Sequence, residues 1–169
     1  MARRLIEVVV TASVPAPAAA VWALICDLRR VPEWVDATLA MTRLPQPLAA
    51  RGVAYSERTR VIGPLVATTH WEITEFEAPR RQVHVGRARG FAPGVLVLEV
   101  EPAGEKTTTY TQTVRLTSRL GPLTSLVNRL LEPSIRASLE RNLAGLEQAL
   151  RGSSPTAPGG AEWLGDATR

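Results

Sequence analysis

Residues 5–14 read LIEVVVTASV, with Ile6, Val8, Val10, Ala12 and Val14 on one parity and Glu7, Thr11 and Ser13 on the other. A period of two predicts a strand with one buried face. Pro15 and Pro17 close it, and Pro17 suits the first turn of a helix over residues 17–28. Val21, Trp22, Leu24, Ile25 and Leu28 form the apolar side of that helix. A second short helix or turn is expected to begin at Pro32, at an angle to the first.

Strand character then resumes in six segments: about 37–44, 52–61, 65–77, 81–90, 94–101 and 106–118. The breaks between them, Gly63-Pro64, Ala78-Pro79, Gly90–Gly94 and Pro102–Glu105, have turn chemistry. Such short connections make neighbouring strands antiparallel. Gly121-Pro122 ends the last strand. In the helix expected over 122–151, Leu123, Leu126, Val127, Leu130, Leu131, Ile135, Leu139, Leu143, Leu146 and Leu150 recur at spacings of three and four. Pro133 falls inside this pattern and should kink or break it.

The order strand, two helices, six strands, long helix implies an α+β chain. A seven-stranded curved antiparallel sheet wraps the C-terminal helix, and two short helices sit between the first and second strands. A wrapped sheet and a kinked helix leave a space lined mainly by apolar side chains.

The chain has 169 residues, of which 45% are hydrophobic and 21% charged, within the ordinary range for one globular domain. We expect that domain over 1–151, followed by a flexible Gly/Pro/Ser-rich tail over 152–169 in which Trp163-Leu164 is the only apolar feature of size. No apolar run reaches the eighteen residues of a membrane span, and the N-terminus carries no signal-peptide cleavage pattern. Cys26, the single cysteine, excludes a disulfide framework and suits a reducing compartment, so a cytoplasmic protein is expected. The net charge is +4, and every basic residue except Lys106 is an arginine. These arginines are scattered among acidic residues and form no basic arm, which argues against nucleic-acid binding. Arginine in place of lysine, with much Ala and Pro, points to a high-GC bacterial genome.

The stretch Val14-Pro15-Ala16-Pro17-Ala18-Ala19-Ala20-Val21-Trp22, followed twelve positions after Trp22 by Trp34 in Pro32-Glu33-Trp34, resembles the SRPBCC superfamily. That superfamily includes START domains, birch-pollen-allergen-like proteins and polyketide cyclases. Asp27 matches its acidic position. Trp71–Arg81 is similar to its fourth strand and Pro-containing turn, and Leu143-Ala144-Gly145-Leu146 to its final helix. The resemblance covers about residues 5–151 and implies a helix-grip fold, with the polyketide cyclase/dehydrase branch nearest. It does not decide function, because members include enzymes, carriers and binding modules.

Strand parity then selects cavity candidates. Val53, Tyr55, Glu57, Thr59 and Val61 share one face; Ala67, Thr69, Trp71 and Ile73 another; Leu96, Leu98 and Val100 a third; Tyr110, Gln112, Val114 and Leu116 a fourth. Val83 and Val85 place Arg87 inward and His84 outward, and His70 also falls outward. The ligand-binding candidates are therefore Tyr55, Glu57, Thr59, Trp71, Arg87, Leu98, Tyr110 and Gln112. Glu57 and Arg87 should pair if both are inside, since an unpaired buried charge is very costly. A single bulge would invert any of these assignments. Two outward histidines and one buried cysteine build no metal site, and no phosphate loop or catalytic triad is present, so neither metal nor cofactor is expected.

Three functions fit. The first is a non-catalytic carrier or sensor of an apolar small molecule such as a lipid, quinone or polyketide-like compound. The second is a polyketide cyclase/aromatase-like enzyme promoting aldol cyclisation and dehydration, with Arg87, Tyr110, Tyr55 and Glu57 as the polar groups. The third is a protein-interaction module.

Overall fold

The structure, a computed structural model, describes residues 4–62, 64–91, 93–118 and 124–152. Gly63, the Gly121–Pro122 turn, Leu123, the expected tail beyond Gly152 and the side chains of Val61, Leu126, Val127 and Leu130 lie outside the described residues.

The elements follow the expected order. Strand β1 spans Arg4–Val14, helix α1 Ala18–Cys26, a 3-10 turn Leu28–Arg30 and helix α2 Val31–Trp34. Strands β2 (Thr38–Arg43), β3 (Ala54–Ile62), β4 (Leu65–Glu77), β5 (Arg81–Ala88), β6 (Gly94–Gly104) and β7 (Thr107–Ser118) come next, then helix α3, Thr124–Gly152. The strands form one antiparallel sheet in the order β1-β7-β6-β5-β4-β3-β2. This is a helix-grip fold.

The parity of β1 sets the packing of α3. Ile6 and Val8 are buried against Leu139, with Val10, Val114, Leu116, Leu131 and Ile135 around them. Burying each such aliphatic side chain contributes roughly 1.5–3 kcal/mol. Further along α3, Leu143 and Leu146 enter a larger cluster with Val14, Val21, Leu24, Ile25, Trp34, Leu98, Val100 and Tyr110. Gly145 allows this approach: a Cβ there would stand 2.8 Å from the backbone oxygen of Trp34. Trp34 is therefore a packing residue, 3% exposed.

Pro133 does not end α3, which continues from Thr124 to Gly152. Pro133 is exposed, so the missing hydrogen bond falls on the solvent side, where helices tolerate it best. Asp27 organises the opposite end of the fold. Its carboxylate accepts from the Arg29 backbone N–H at 3.1 Å and from the Arg29 guanidinium at 2.6 Å and 2.8 Å, which caps the 3-10 turn. The hydrogen bond from Arg29 holds the Asp27 carboxyl below its ordinary range. No helix among the described residues is long and apolar enough to cross a membrane.

Candidate functional site: a cavity between the sheet and the C-terminal helix

Register fixes which side chains share the concave face. One cross-strand row runs Tyr55, Trp71, Gly86, Gly94, Leu116. The next runs Ile73, His84, Leu96, Val114, Val8, and a third Phe76, Gln82, Leu98, Gln112, Val10. The face expected of β5 is thus inverted. His84 is buried and inward, whereas Arg87 lies opposite His70 on the convex face and is exposed. The cause lies on the outer face: Val83 belongs to a convex-face row, Glu75, Val83, Val97, Thr113, Val9, whose central members cover one another. The β4 bulge between Ile73 and Glu75 lies beyond the Trp71–Gly86 and Ile73–His84 pairs that set the inner face. Val83, Val97 and Thr113 are each at most 5% exposed, so apolar parity on β5 marked the outer face.

With Arg87 outside, the expected pair with Glu57 does not form. Glu57 is 4% exposed and is held by neutral donors instead. Thr38 Oγ1 donates to its Oε2 at 2.7 Å; Trp71 Nε1 and Thr59 Oγ1 donate to its Oε1 at 2.8 Å and 3.0 Å. Burial pushes this carboxyl above its ordinary value, against the three hydrogen bonds that lower it.

Glu57, Thr59, Trp71 and Gln112 line one cavity of ≈ 220 Å³. Its apolar wall comes from Leu96 on β6, Val114 and Leu116 on β7, and Ile135 and Leu139 on α3. Arg60 and Arg141 reach it as exposed residues, and Arg141 pairs with Asp36 at 3.0 Å. Gln112 is fully buried; its Oε1 accepts from Asn142 Nδ2 at 3.4 Å, and its Nε2 has no partner among the described residues.

The remaining candidates lie elsewhere on the inner face. Leu98 and Tyr110 sit in the core cluster beside α1 and α3, outside the cavity lining. Tyr110 is fully buried, and burial pushes its phenol well above the ordinary value. Tyr55 belongs to a buried polar chain that the sequence reading missed. Gln82 Nε2 donates to Cys26 Sγ at 3.4 Å, His84 Nε2 donates to Gln82 Oε1 at 3.0 Å, and Tyr55 Oη donates to His84 Nδ1 at 2.9 Å. The amide oxygen can only accept, so it fixes the His84 tautomer. Burial lowers His84 to about 4 and raises the Cys26 thiol to about 11. A neutral imidazole and a protonated thiol make this chain a scaffold that holds α1 and β3 to β5. Thr38, Asn142 and Asp36 were missed as well, because only the folded chain brings them to β3 and β7.

A second, larger hollow of ≈ 590 Å³ lies between the end of β1, α1 and the last turn of α3. Five of its twelve lining residues, Pro15, Pro17, Ala20, Ala23 and Arg151, are exposed, and its other charged members Asp27, Arg30 and Glu147 are half-buried in surface ion pairs. It is a surface groove. The cavity beside Glu57 has a mostly half-buried lining in which Glu57, Gln112, Leu139 and Asn142 are buried, a mixture of apolar wall and buried polar groups that suits a small ligand. Among the described residues no group of three or more His, Cys, Asp or Glu is placed to hold a metal ion.

Residues 6–151 match the family model described as polyketide cyclase / dehydrase and lipid transport. Among solved structures, the ZhuI aromatase/cyclase from Streptomyces sp. R1128 aligns with a TM-score of 0.74 at 16% identity, covering 93% of this chain and 100% of that one. A START superfamily protein from Mycobacterium smegmatis aligns with a TM-score of 0.70 at 14% identity, covering 88% and 99%. A conserved protein from Geobacillus kaustophilus aligns at 0.68 and 13% identity, covering 87% and 96%. No curated protein matches the chain by sequence. At these identities the structural likeness carries the fold alone.

Proposed function

The chain belongs to the polyketide cyclase/dehydrase and lipid-transport family, and from that premise we propose that it binds a compact apolar small molecule in the cavity beside Glu57, as a carrier or sensor. The carrying observation is the lining: Leu96, Val114, Leu116, Ile135 and Leu139 supply an apolar wall, with a few buried polar groups set into it. Burial of apolar ligand surface supplies affinity, and isolated polar groups supply orientation. The volume of ≈ 220 Å³ is below the roughly 300–1,000 Å³ of pockets that enclose drug-sized ligands. A ligand of one or two fused rings, or a short chain, suits it.

One observation favours an enzyme instead. Glu57 is a buried carboxyl with a raised pKa in the cavity wall, the setting in which a carboxyl serves as a general acid or base. In an aldol cyclisation it would take a proton from the carbon next to a ketone and return it to the alkoxide formed when that carbon attacks a second ketone. In the dehydration that follows it would take a second such proton as the protonated hydroxyl leaves as water. The ZhuI aromatase/cyclase shares the fold. Against this reading, the two acceptor oxygens of Glu57 are already engaged by Thr38, Thr59 and Trp71. The carrier reading needs no further polar group.

Native mass spectrometry of gently purified protein, followed by denaturation and identification of released small molecules, tests the proposal. A stoichiometric apolar compound supports the carrier. Conversion of a poly-β-ketone substrate to an aromatic product, abolished by Glu57→Gln, would replace it with the cyclase.

A further inference from the structure

The Gln112 side chain is oriented by a relay from distant parts of the chain. The backbone N–H of Asp36 donates to Asn142 Oδ1 at 2.8 Å. A backbone N–H can only donate, so this bond fixes which end of the Asn142 amide is oxygen. Asn142 Nδ2 then faces Gln112 Oε1 at 3.4 Å and donates to it. With its oxygen engaged there, Gln112 is left with Nε2 unpartnered among the described residues, fully buried, in the cavity lining. Trp34 Nε1 and Tyr110 Oη are also unpartnered, but neither residue's polar atom belongs to this cavity's acceptor-free wall of Leu96, Val114 and Leu139. A buried amide N–H without an acceptor is costly, and native structures rarely leave one so.

We propose that Gln112 is a ligand anchor whose amide N–H donates to a neutral acceptor oxygen, a ketone or quinone carbonyl, on the molecule in the cavity. This rests on the small-molecule reading above and narrows its ligand class. Glu57 adds to the selection, because neutral donors hold it and no cation pairs with it among the described residues. An ionised ligand carboxylate beside it would be desolvated next to a second carboxyl with no cation to offset it. An anionic group on the ligand belongs at the exposed Arg60 end, where Arg141 is already paired with Asp36. The buried end carries the carbonyl.

The test uses 1-tetralone and tetralin, which differ by one ketone oxygen, titrated into the full chain and followed by protein-observed NMR. The expected result is that 1-tetralone binds about tenfold more tightly than tetralin, and that the assigned Gln112 side-chain amide signals move downfield with 1-tetralone alone. In Gln112→Leu the preference for 1-tetralone over tetralin is lost. Should Gln112→Leu fail to fold, the wild-type affinity ratio and the Gln112 signals decide. Equal affinity for both compounds would overturn the anchor and leave the apolar cavity standing. A preference that survives Gln112→Leu would also overturn it, and would assign the carbonyl's donor to another group of the lining. Binding of neither compound would remove the small-molecule reading itself, and the anchor with it.

Discussion

Gly86 lies beneath the indole of Trp71: a Cβ at Gly86 would stand 2.6 Å to 2.7 Å from three of its ring carbons. The two residues are cross-strand partners on the concave face. Because β5 presents no side chain there, the ring lies flat against the strand, and its Nε1 reaches Glu57 at 2.8 Å. A glycine inside a strand is unfavourable on propensity alone. Here it makes room for the cavity wall.

Gly86→Ala should therefore displace the indole and break its bond to Glu57. Overpacking of this kind costs about 1–3 kcal/mol. Urea unfolding followed by tryptophan fluorescence checks it, and the native emission of the variant should differ from wild type because the Trp71 environment has changed. An alanine that leaves stability and emission unchanged would contradict the packing described.

Glu57 gives a pH dependence of definite sign. Its folded-state pKa is raised by burial, so between its ordinary value and that raised value the folded state holds more protons than the unfolded state. Stability then falls as pH rises through this window. Glu57→Gln lacks the titration, so the variant should gain on wild type between pH 5 and pH 8. Urea midpoints of both proteins at the two pH values measure this. A difference that does not change with pH would mean that the carboxyl ionises normally.

His84 has the opposite sign. Burial lowers it from 6.5 to about 4, so the unfolded state holds more protons between those values and stability is lost as pH falls from 6.5 to 4. The loss attributable to this group is on the order of 3 kcal/mol. His84→Leu removes it along with a buried hydrogen-bond chain, so the variant starts less stable at pH 7 and has a shallower acid limb. Because Glu57 and His84 act in opposite directions, the comparison is between variant and wild type at each pH.

The element order, the antiparallel meander and the inward faces of β1, β3, β4, β6 and β7 were legible in the sequence. On those strands the outer face is polar or solvated, except on β6, where Glu99 and Glu101 mark the outer face although Val97 is buried there. Strand β5 was misread because its two faces carry the reverse of the usual signal. Val83 is buried on the outside by Val97 and its neighbours, while Gln82, His84 and Gly86 face inward. Hydropathy alternation identifies the inner face only where the outer one meets water. Glu57 and Gln112 could be placed by parity, but their partners could not. Thr38 reaches Glu57 through the pairing of β2 with β3, and Asn142 on α3 meets Gln112 on β7 and the Asp36 backbone only in the folded chain, so no local spacing is a guide.

Arg87→Ala is the direct check on that correction. The side chain is exposed and opposite His70 on the convex face, so the substitution should change stability by less than about 0.5 kcal/mol. Ligand affinity should be unchanged. A loss of several kcal/mol would restore the buried ion pair expected from parity.

The proposed ligand site lies between the sheet and α3, and not in the larger groove beside α1. Titration of 1-aminonaphthalene, a neutral apolar fluorophore, into wild type and Val114→Phe tests it most directly. Val114 lines the cavity and not the groove, so phenylalanine fills the first and leaves the second intact. Wild type should show saturable 1:1 binding, and a Val114→Phe variant that still unfolds cooperatively should lose at least tenfold in affinity. Undiminished binding in that variant would contradict this placement and move the site to the groove between β1, α1 and the end of α3.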